Sequence, residues 1–241
     1  MNAIRGARER ARAEITAAIK EEARRQLAEE GAARLSLRAV ARELGMVSSA
    51  LYRYFPSRDD LLTALIIDAY DAIGSTAERA LAAADRDAPV ARWLAVCRAV
   101  RRWALARPHE YALIYGSPVP GYSAPRSTVA PASRVALALM VVVRDARAAG
   151  ALREPAGGAS APAVPGPVAE DADRLMERLG LDLPAPVAAG FIAAWAQLFG
   201  LIGFEVFGQF NQLVDAREEF FDLAVTRLAA AVGLTGSEGG S

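Results

Sequence analysis

The sequence predicts an all-α protein, a small N-terminal helical unit followed by a larger helical body. Three observations carry that prediction. Alternation of apolar and polar residues is not sustained over five or six positions outside helical context. Apolar residues recur at helical spacing instead, most cleanly at Leu62, Leu65/Ile66, Ala69 and Ile73. Gly or Pro then closes each periodic stretch in turn, at Gly31, Gly45, Pro56, Gly116, Gly150 and Gly180.

The elements follow in order. A first helix is expected from about Ala7 to Glu30, with Ala11, Ile15, Ile19, Ala23 and Leu27 on one face. Ser36 is placed to cap a short second helix, Leu37 to Leu44. A third, about Ser48 to Phe55, is stopped by Pro56, and Ser57 and Asp60 have the S-x-x-D spacing that opens a fourth, about Arg58 to Asp85. Further helices are expected over Val90–Arg107, where Trp93, Cys97, Val100 and Trp103/Ala104 form a stripe, and from Pro108 through Tyr111 and Tyr115 to Gly116. Ser127–Ala149 reads as a long helix. Seven of the thirteen residues 155–167 are Pro or Gly, which predicts a flexible loop. A polar helix over 168–179, an apolar one over Ala185–Phe210 and a last one over Asp215–Val232 complete the chain. The expected domains are residues 1–57, residues 58–233 and a disordered tail, 234–241.

Composition removes several kinds of chemistry. The 241 residues include one cysteine, Cys97, so no intrachain disulfide is possible, and one histidine, His109, so the usual His/Cys metal cages are excluded. There is no glycine-rich phosphate loop and no paired-carboxylate signature. No catalytic residue, metal or cofactor is expected, and an enzyme has little to stand on. The N-terminus is charged and lacks an apolar run, so it is not read as a secretory signal. Leu183–Phe204 is uncharged and long enough to span a bilayer, but Pro184 and Pro186 open it, Gln197 interrupts it and Glu205 closes it without a basic flank. A buried core helix or an oligomer interface explains it better. A helical membrane-associated or scaffold protein stays as the alternative reading.

The net charge of zero hides a polarity. Residues 1–58 carry 12 basic and 7 acidic side chains, +5, which leaves −5 for the remainder. Arg5, Arg8, Arg10 and Arg12 face only Glu9 in the first twelve residues. A basic head on an acidic body suggests an anionic partner at one end.

The stretch Ser36–Leu62 supplies the chemistry. Two short helices joined by a turn at Gly45 have the form of a helix-turn-helix. Val40, Leu44, Leu51 and Phe55 are spaced to pack inward, with Ala41 at the crossing. Arg38, Arg42, Ser48, Ser49, Tyr52, Arg53 and Tyr54 are left outward, and hydroxyls, phenols and guanidiniums suit contact with phosphates and base edges. Taken singly, each has a plainer reading. Tyr52 and Tyr54 would serve as half-buried aromatics, Ser48 as a helix cap, and Arg38 and Arg42 as solvated charges. It is the joint pattern that points to DNA.

Residues 36–62 resemble the DNA-binding domain of the TetR family of bacterial transcriptional regulators. The resemblance rests on Ser36, Ala41, Gly45, Leu51-Tyr52-Arg53-Tyr54-Phe55, Ser57-Arg58 and Leu61-Leu62, and with the first helix it covers about Ala11–Leu65. The chain departs from the family pattern at Met46 and Val47, where Val and then Ser or Ala is frequent, so the cap of the third helix shifts to Ser48. At Tyr54 a frequent His is replaced. The resemblance implies that Ser36 and the helix behind it hold a phosphate, and that Arg38 reaches phosphate or a base edge. It has Ser48, Ser49 and Arg53 reading the major groove of double-stranded DNA while Tyr52, Tyr54 and Arg58 clamp its backbone, with the 5–12 arm adding contacts.

Trp103, Pro108-His109, Tyr111 and Gly116-Ser117-Pro118, with Phe199–Phe210 later, are similar to the WHG-type C-terminal domain of that family. This implies a small-molecule effector pocket and a homodimer interface in a cytoplasmic repressor of a palindromic operator. Trp103, His109, Tyr111, Tyr115, Trp195 and Phe199, with Phe204, are the candidate pocket residues for an apolar or aromatic effector. Aromatic stripes at helical spacing are equally explained as core, and His109 as a solvent-facing helix start. The fourth helix, which starts at the head and continues into the body, is the expected lever between them.

Overall fold

A computed structural model describes residues 2–153 and 164–234. Ten α-helices are formed among the described residues: α1 Asn2–Glu30, α2 Leu37–Glu43, α3 Ser48–Leu51, α4 Arg58–Ala83, α5 Pro89–Ala106, α6 Pro108–Tyr115, α7 Val129–Ala148, α8 Gly166–Leu179, α9 Ala185–Val206 and α10 Arg217–Val232. The all-α expectation holds. Two compact units result, one of residues 1–71 and 107–132, the other of 72–106 and 133–241. α4 therefore gives its first half to one unit and its second half to the other.

In the first unit, Ile19, Ala23 and Leu27 of α1, Val40 and Ala41 of α2, Leu51 of α3 and Leu61, Leu62 and Leu65 of α4 form one buried core. The heptad-like face read from α1 is buried from Ile19 onward, while Ala11 is exposed because α1 extends beyond the helices that cover it. Lys20 and Arg24 both reach Asp68, each at 2.8 Å, and tie α1 to α4. Leu113, Val119 and Tyr122 pack on the same core, and the Tyr122 hydroxyl lies 2.9 Å from Thr63 Oγ1.

The second unit is organised on α5. Trp93, Val96, Cys97, Val100, Trp103 and Ala104 are buried as the stripe predicted, and Trp93 Nε1 donates to the Val225 carbonyl at 3.1 Å. Burial pushes the Cys97 thiol far up, so it is an inert packing group. Gly74 permits α4 and α7 to cross closely: a Cβ there would stand 2.6 Å from Arg134 Cβ. α9 packs on α8, α10 and α5. The segment Arg126–Ala148 and α9 are each long and apolar enough to cross a membrane. The second unit nevertheless buries Leu139, Val142 and Val143 of one and Val187, Phe191, Leu198 and Ile202 of the other.

Several boundaries differ from expectation. The third helix ends at Leu51 and not at Phe55, because Tyr54 N–H turns back to the Leu51 carbonyl at 2.8 Å and Phe55, which precedes Pro56, leaves helical geometry. Val47, not Ser48, takes its N-cap position and makes no side-chain cap bond. α9 ends at Val206, four residues early, since Gly208 adopts φ +79° and the chain doubles back to stack Phe210 on Phe204 and Phe220. Of the expected loop 155–167, residues 155–163 lie outside the described residues, and Gly166 and Pro167 already belong to α8. Leu234, the first residue of the expected tail, is buried and pairs with Leu152; residues 235–241 lie outside the described residues.

Candidate nucleic-acid interface

The turn between α2 and α3 is fixed by backbone geometry. Leu44 ends α2, Gly45 takes φ +64°, its N–H donates to the Arg42 carbonyl at 3.1 Å, and Met46 N–H donates to Ala41 at 2.8 Å. These are the two bonds of a Schellman cap, and a side chain at Gly45 would be strained in that left-handed conformation. At the other end of α2, Ser36 Oγ accepts from Ala39 N–H at 3.4 Å, so its oxygen is occupied as the cap that the sequence predicts. Ser57 Oγ likewise accepts from Asp60 N–H at 3.1 Å and donates to Asp60 Oδ2 at 2.6 Å, which starts α4.

Val40, Ala41, Leu51 and Phe55 hold this frame from inside. What remains outside is polar except for Val47 in the turn, which is exposed. Arg38, Arg42, Ser49, Tyr52 and Arg53 are exposed, while Ser36, Ser48, Tyr54 and Arg58 are half-buried. Arg42 lies 3.4 Å from Glu43 in an exposed pair of little energetic weight. The Arg12 guanidinium stands 5.0 Å over the Tyr54 ring and donates to the Arg53 carbonyl at 3.4 Å. Arg12 thus ties the N-terminal arm to the end of the third helix, and Tyr54 is held by stacking. Arg58 is placed differently from the other candidates, with its guanidinium on the carbonyls of Ala32 (2.8 Å), Ala33 (3.3 Å) and Leu35 (3.2 Å). No side-chain pattern signals that arrangement, because the acceptors are backbone groups.

The aromatic candidates separate into two sets. In the first unit, Tyr111 is buried and tilted against Tyr115 at 5.2 Å, and Tyr115 meets Tyr70 edge-on at 5.9 Å. Burial pushes the three phenols above their ordinary range, so all are neutral. His109 is exposed at the start of α6. In the second unit, Trp195 and Phe199 pair at 5.7 Å and Trp103 is buried in α5. The structure therefore brings Tyr111 to Tyr115 and Trp195 to Phe199, but assigns the two pairs to different units.

The uncharged stretch Leu183–Phe204, which the sequence reads as a core helix or an oligomer interface, gives one wall of a groove between α9 and α10. Gln197, Gly200, Leu201, Phe204, Phe220 and Leu223 line this groove of about 450 Å³. Phe204 and Leu223 are about half exposed, at 54% and 50%. In the same unit, Arg101 grips Glu205 through two bonds of 2.6 and 2.7 Å and lies 5.2 Å over the Phe221 ring, while Arg98 grips Asp222 in a more exposed pair at 2.7 and 2.8 Å. Those bonds to Arg98 hold the Asp222 carboxyl below the usual range.

Comparison with known proteins agrees with both regions. Residues 19–65 match the family model described as bacterial regulatory proteins, tetR family, and residues 93–228 match that of the tetracyclin repressor-like C-terminal domain. The HTH-type transcriptional regulators Rv1816 of Mycobacterium tuberculosis H37Rv and Mb1846 of Mycobacterium bovis are each 43% identical to the chain over 234 residues, which cover 94% of it and 95% of them. The solved structure of regulatory protein SCO4313 is 35% identical, superposes with a TM-score of 0.69 and covers 91% of this chain and 97% of its own. PfmR from Thermus thermophilus, described as a TetR family transcriptional regulator, shares the fold at 19% identity, with a TM-score of 0.57 over 90% of this chain and 98% of its own.

Proposed function

The chain belongs to the tetR family of bacterial regulatory proteins and is a DNA-binding transcriptional regulator, not an enzyme; on that premise we propose that it acts in the cytoplasm as a homodimeric repressor of a palindromic operator, released by a small apolar or aromatic effector. The observation that carries the reading is the outward set Arg38, Ser49, Tyr52 and Arg53 on a frame locked by Gly45 and the Leu51 core. Ser49 and Arg53 read base edges in the major groove, with Ser48 at the margin. Arg38 and Tyr52 engage phosphates, and Tyr54, braced by Arg12, supports them.

Support for the dimer comes from the apolar α9–α10 groove, since a contiguous exposed apolar face marks an interaction surface. A twofold pair buries that face against itself and presents two heads to successive major grooves about one helical turn apart. An effector that prefers the wrong head spacing then shifts the population away from DNA, and a coupling of roughly 1–3 kcal/mol is ordinary for such a switch. Continuity of α4, which belongs to both units, supports it as the lever.

Fluorescence anisotropy on duplex DNA from upstream of the chain's own gene tests the reading. Tight binding that requires both half-sites and weakens steeply with salt is expected. Salt-independent binding, or none, contradicts it.

A further inference from the structure

We propose that Arg58 is a positioning residue for DNA binding and not a phosphate clamp: it holds the entry of α2 in place through three backbone carbonyls. The proposal deepens the regulator reading and rests on it. Its place two residues after Pro56, at the first position of α4, is where the resemblance expects a cation on the DNA backbone, but the guanidinium is already engaged. Nε donates to the Leu35 carbonyl at 3.2 Å, and Nη2 donates to Ala32 at 2.8 Å and Ala33 at 3.3 Å. Nη1 faces Asp59 at 3.5 Å, and the side chain is 29% exposed.

These acceptors need a partner. α1 stops at Glu30, Gly31 takes φ +80°, and Ala32–Arg34 form a single tight turn closed by a long 3.4 Å bond from Leu35 N–H to Ala32. Such a turn leaves carbonyl oxygens aligned without a helix to receive them. A planar fork of N–H donors fits several of them at once, which a tetrahedral ammonium cannot copy. Because Leu35 directly precedes the N-cap Ser36, holding the Leu35 carbonyl orients the peptide that leads into α2. Ser36 then caps Ala39 only weakly, at 3.4 Å, so Arg58 supplies the firmer constraint on the helix that presents Arg38.

The salt dependence of binding separates the two roles. A phosphate contact contributes about 0.9 to the slope of log affinity against log salt, which Lys would keep and Gln would lose, whereas a planar fork on backbone carbonyls is lost in both variants alike. Full-length Arg58→Lys and Arg58→Gln are compared with the parent on the same upstream duplex, with amide hydrogen exchange on the free proteins. The expected result is a similar affinity loss in both, about tenfold, with one and the same slope in the two variants. Exchange should accelerate over residues 33–39 but not over Ile19–Leu27, which a general loss of stability would also affect. Near-parental binding by the Lys variant with a reduced slope in the Gln variant identifies a clamp and overturns the proposal, as does unchanged binding by both. Should the Gln variant fail to fold, the Lys variant decides alone: lost affinity with faster exchange over 33–39 supports the proposal, and full affinity refutes it. A parent that shows no salt-dependent binding counts against the regulator reading instead. The exchange data then judge the tether, and unchanged rates over 33–39 overturn it.

Discussion

Apart from Val47, the helix-turn-helix keeps its apolar residues inside and turns guanidiniums, hydroxyls and a phenol to solvent. The α9–α10 unit does the reverse, with Phe204, Leu223 and Phe220 outside and the Arg101–Glu205 pair buried at 13% and 7% exposure. Desolvating a charge costs free energy that only close pairing offsets, whereas an exposed aromatic gains when something covers it. The contrast therefore assigns partners by chemistry. The first surface suits a hydrated polyanion, and the second suits another apolar surface of its own kind.

The sharpest way to break the contrast is to orphan the buried charge. Arg101→Met leaves Glu205 enclosed without its two guanidinium bonds, and the expected loss is about 3–5 kcal/mol of stability, measured by denaturant unfolding. Glu205→Gln with Arg101→Met should recover most of it, because the uncompensated carboxylate is then gone. A single-variant loss under about 1 kcal/mol would mean that solvent reaches the pair.

Next in size is a charge placed on the apolar face. Leu223→Asp should raise the dissociation constant of the proposed dimer at least about a hundredfold, roughly 2.7 kcal/mol, read by sedimentation equilibrium. DNA binding by the two-half-site duplex should fall with it while helicity stays unchanged. A dimer that survives the change would place the interface elsewhere.

The fold was legible in the sequence to the extent that it is written in periodicity and stop residues. The α4 and α5 stripes, the Gly45 turn and the Ser36 and Ser57 caps all depend on side chains or on glycine, and each is present. What was not legible depends on tertiary geometry. The early end of α9 follows from Phe210 folding back onto Phe204 and Phe220, and the early end of α3 from the turn ahead of Pro56. The Arg58 contacts engage main-chain oxygens, which leave no residue signature. The aromatic candidates fell into two units because spacing along one helix says nothing about which other helix it meets.

Within the polar surface, two substitutions should sharpen the division of labour. Arg53→Ala should cost about 1–3 kcal/mol and relax preference at one operator position, as site selection from random duplexes would record. Tyr52→Phe should weaken binding to every selected sequence alike and by less, since only one hydroxyl is removed from an exposed ring. If Arg53→Ala weakens all sequences equally and leaves the selected motif intact, Arg53 belongs with the phosphate contacts.

The smallest effect is expected at Val47, and its sign is what makes it informative. Val47 holds the N-cap position of α3 with no side-chain cap, and its isopropyl group is 70% exposed, so it contributes neither a hydrogen bond nor burial to the fold. Serine at that position would accept a bond from one of the following N–H groups, and a cap of this kind is worth about 1 kcal/mol. Val47→Ser should therefore raise the midpoint of thermal unfolding by a few degrees, measured by circular dichroism, where most substitutions in a reading element lower it or leave it unchanged. A stabilised head that binds the parental operator less well would mean that the apolar group is kept for DNA at the expense of the helix; a stabilised head with unchanged binding would mean that it is incidental. A lower midpoint would show that the backbone at Val47 does not bring the serine oxygen within reach of those N–H groups, and that the uncapped start of α3 is set by the Gly45 turn and not by the residue that follows it.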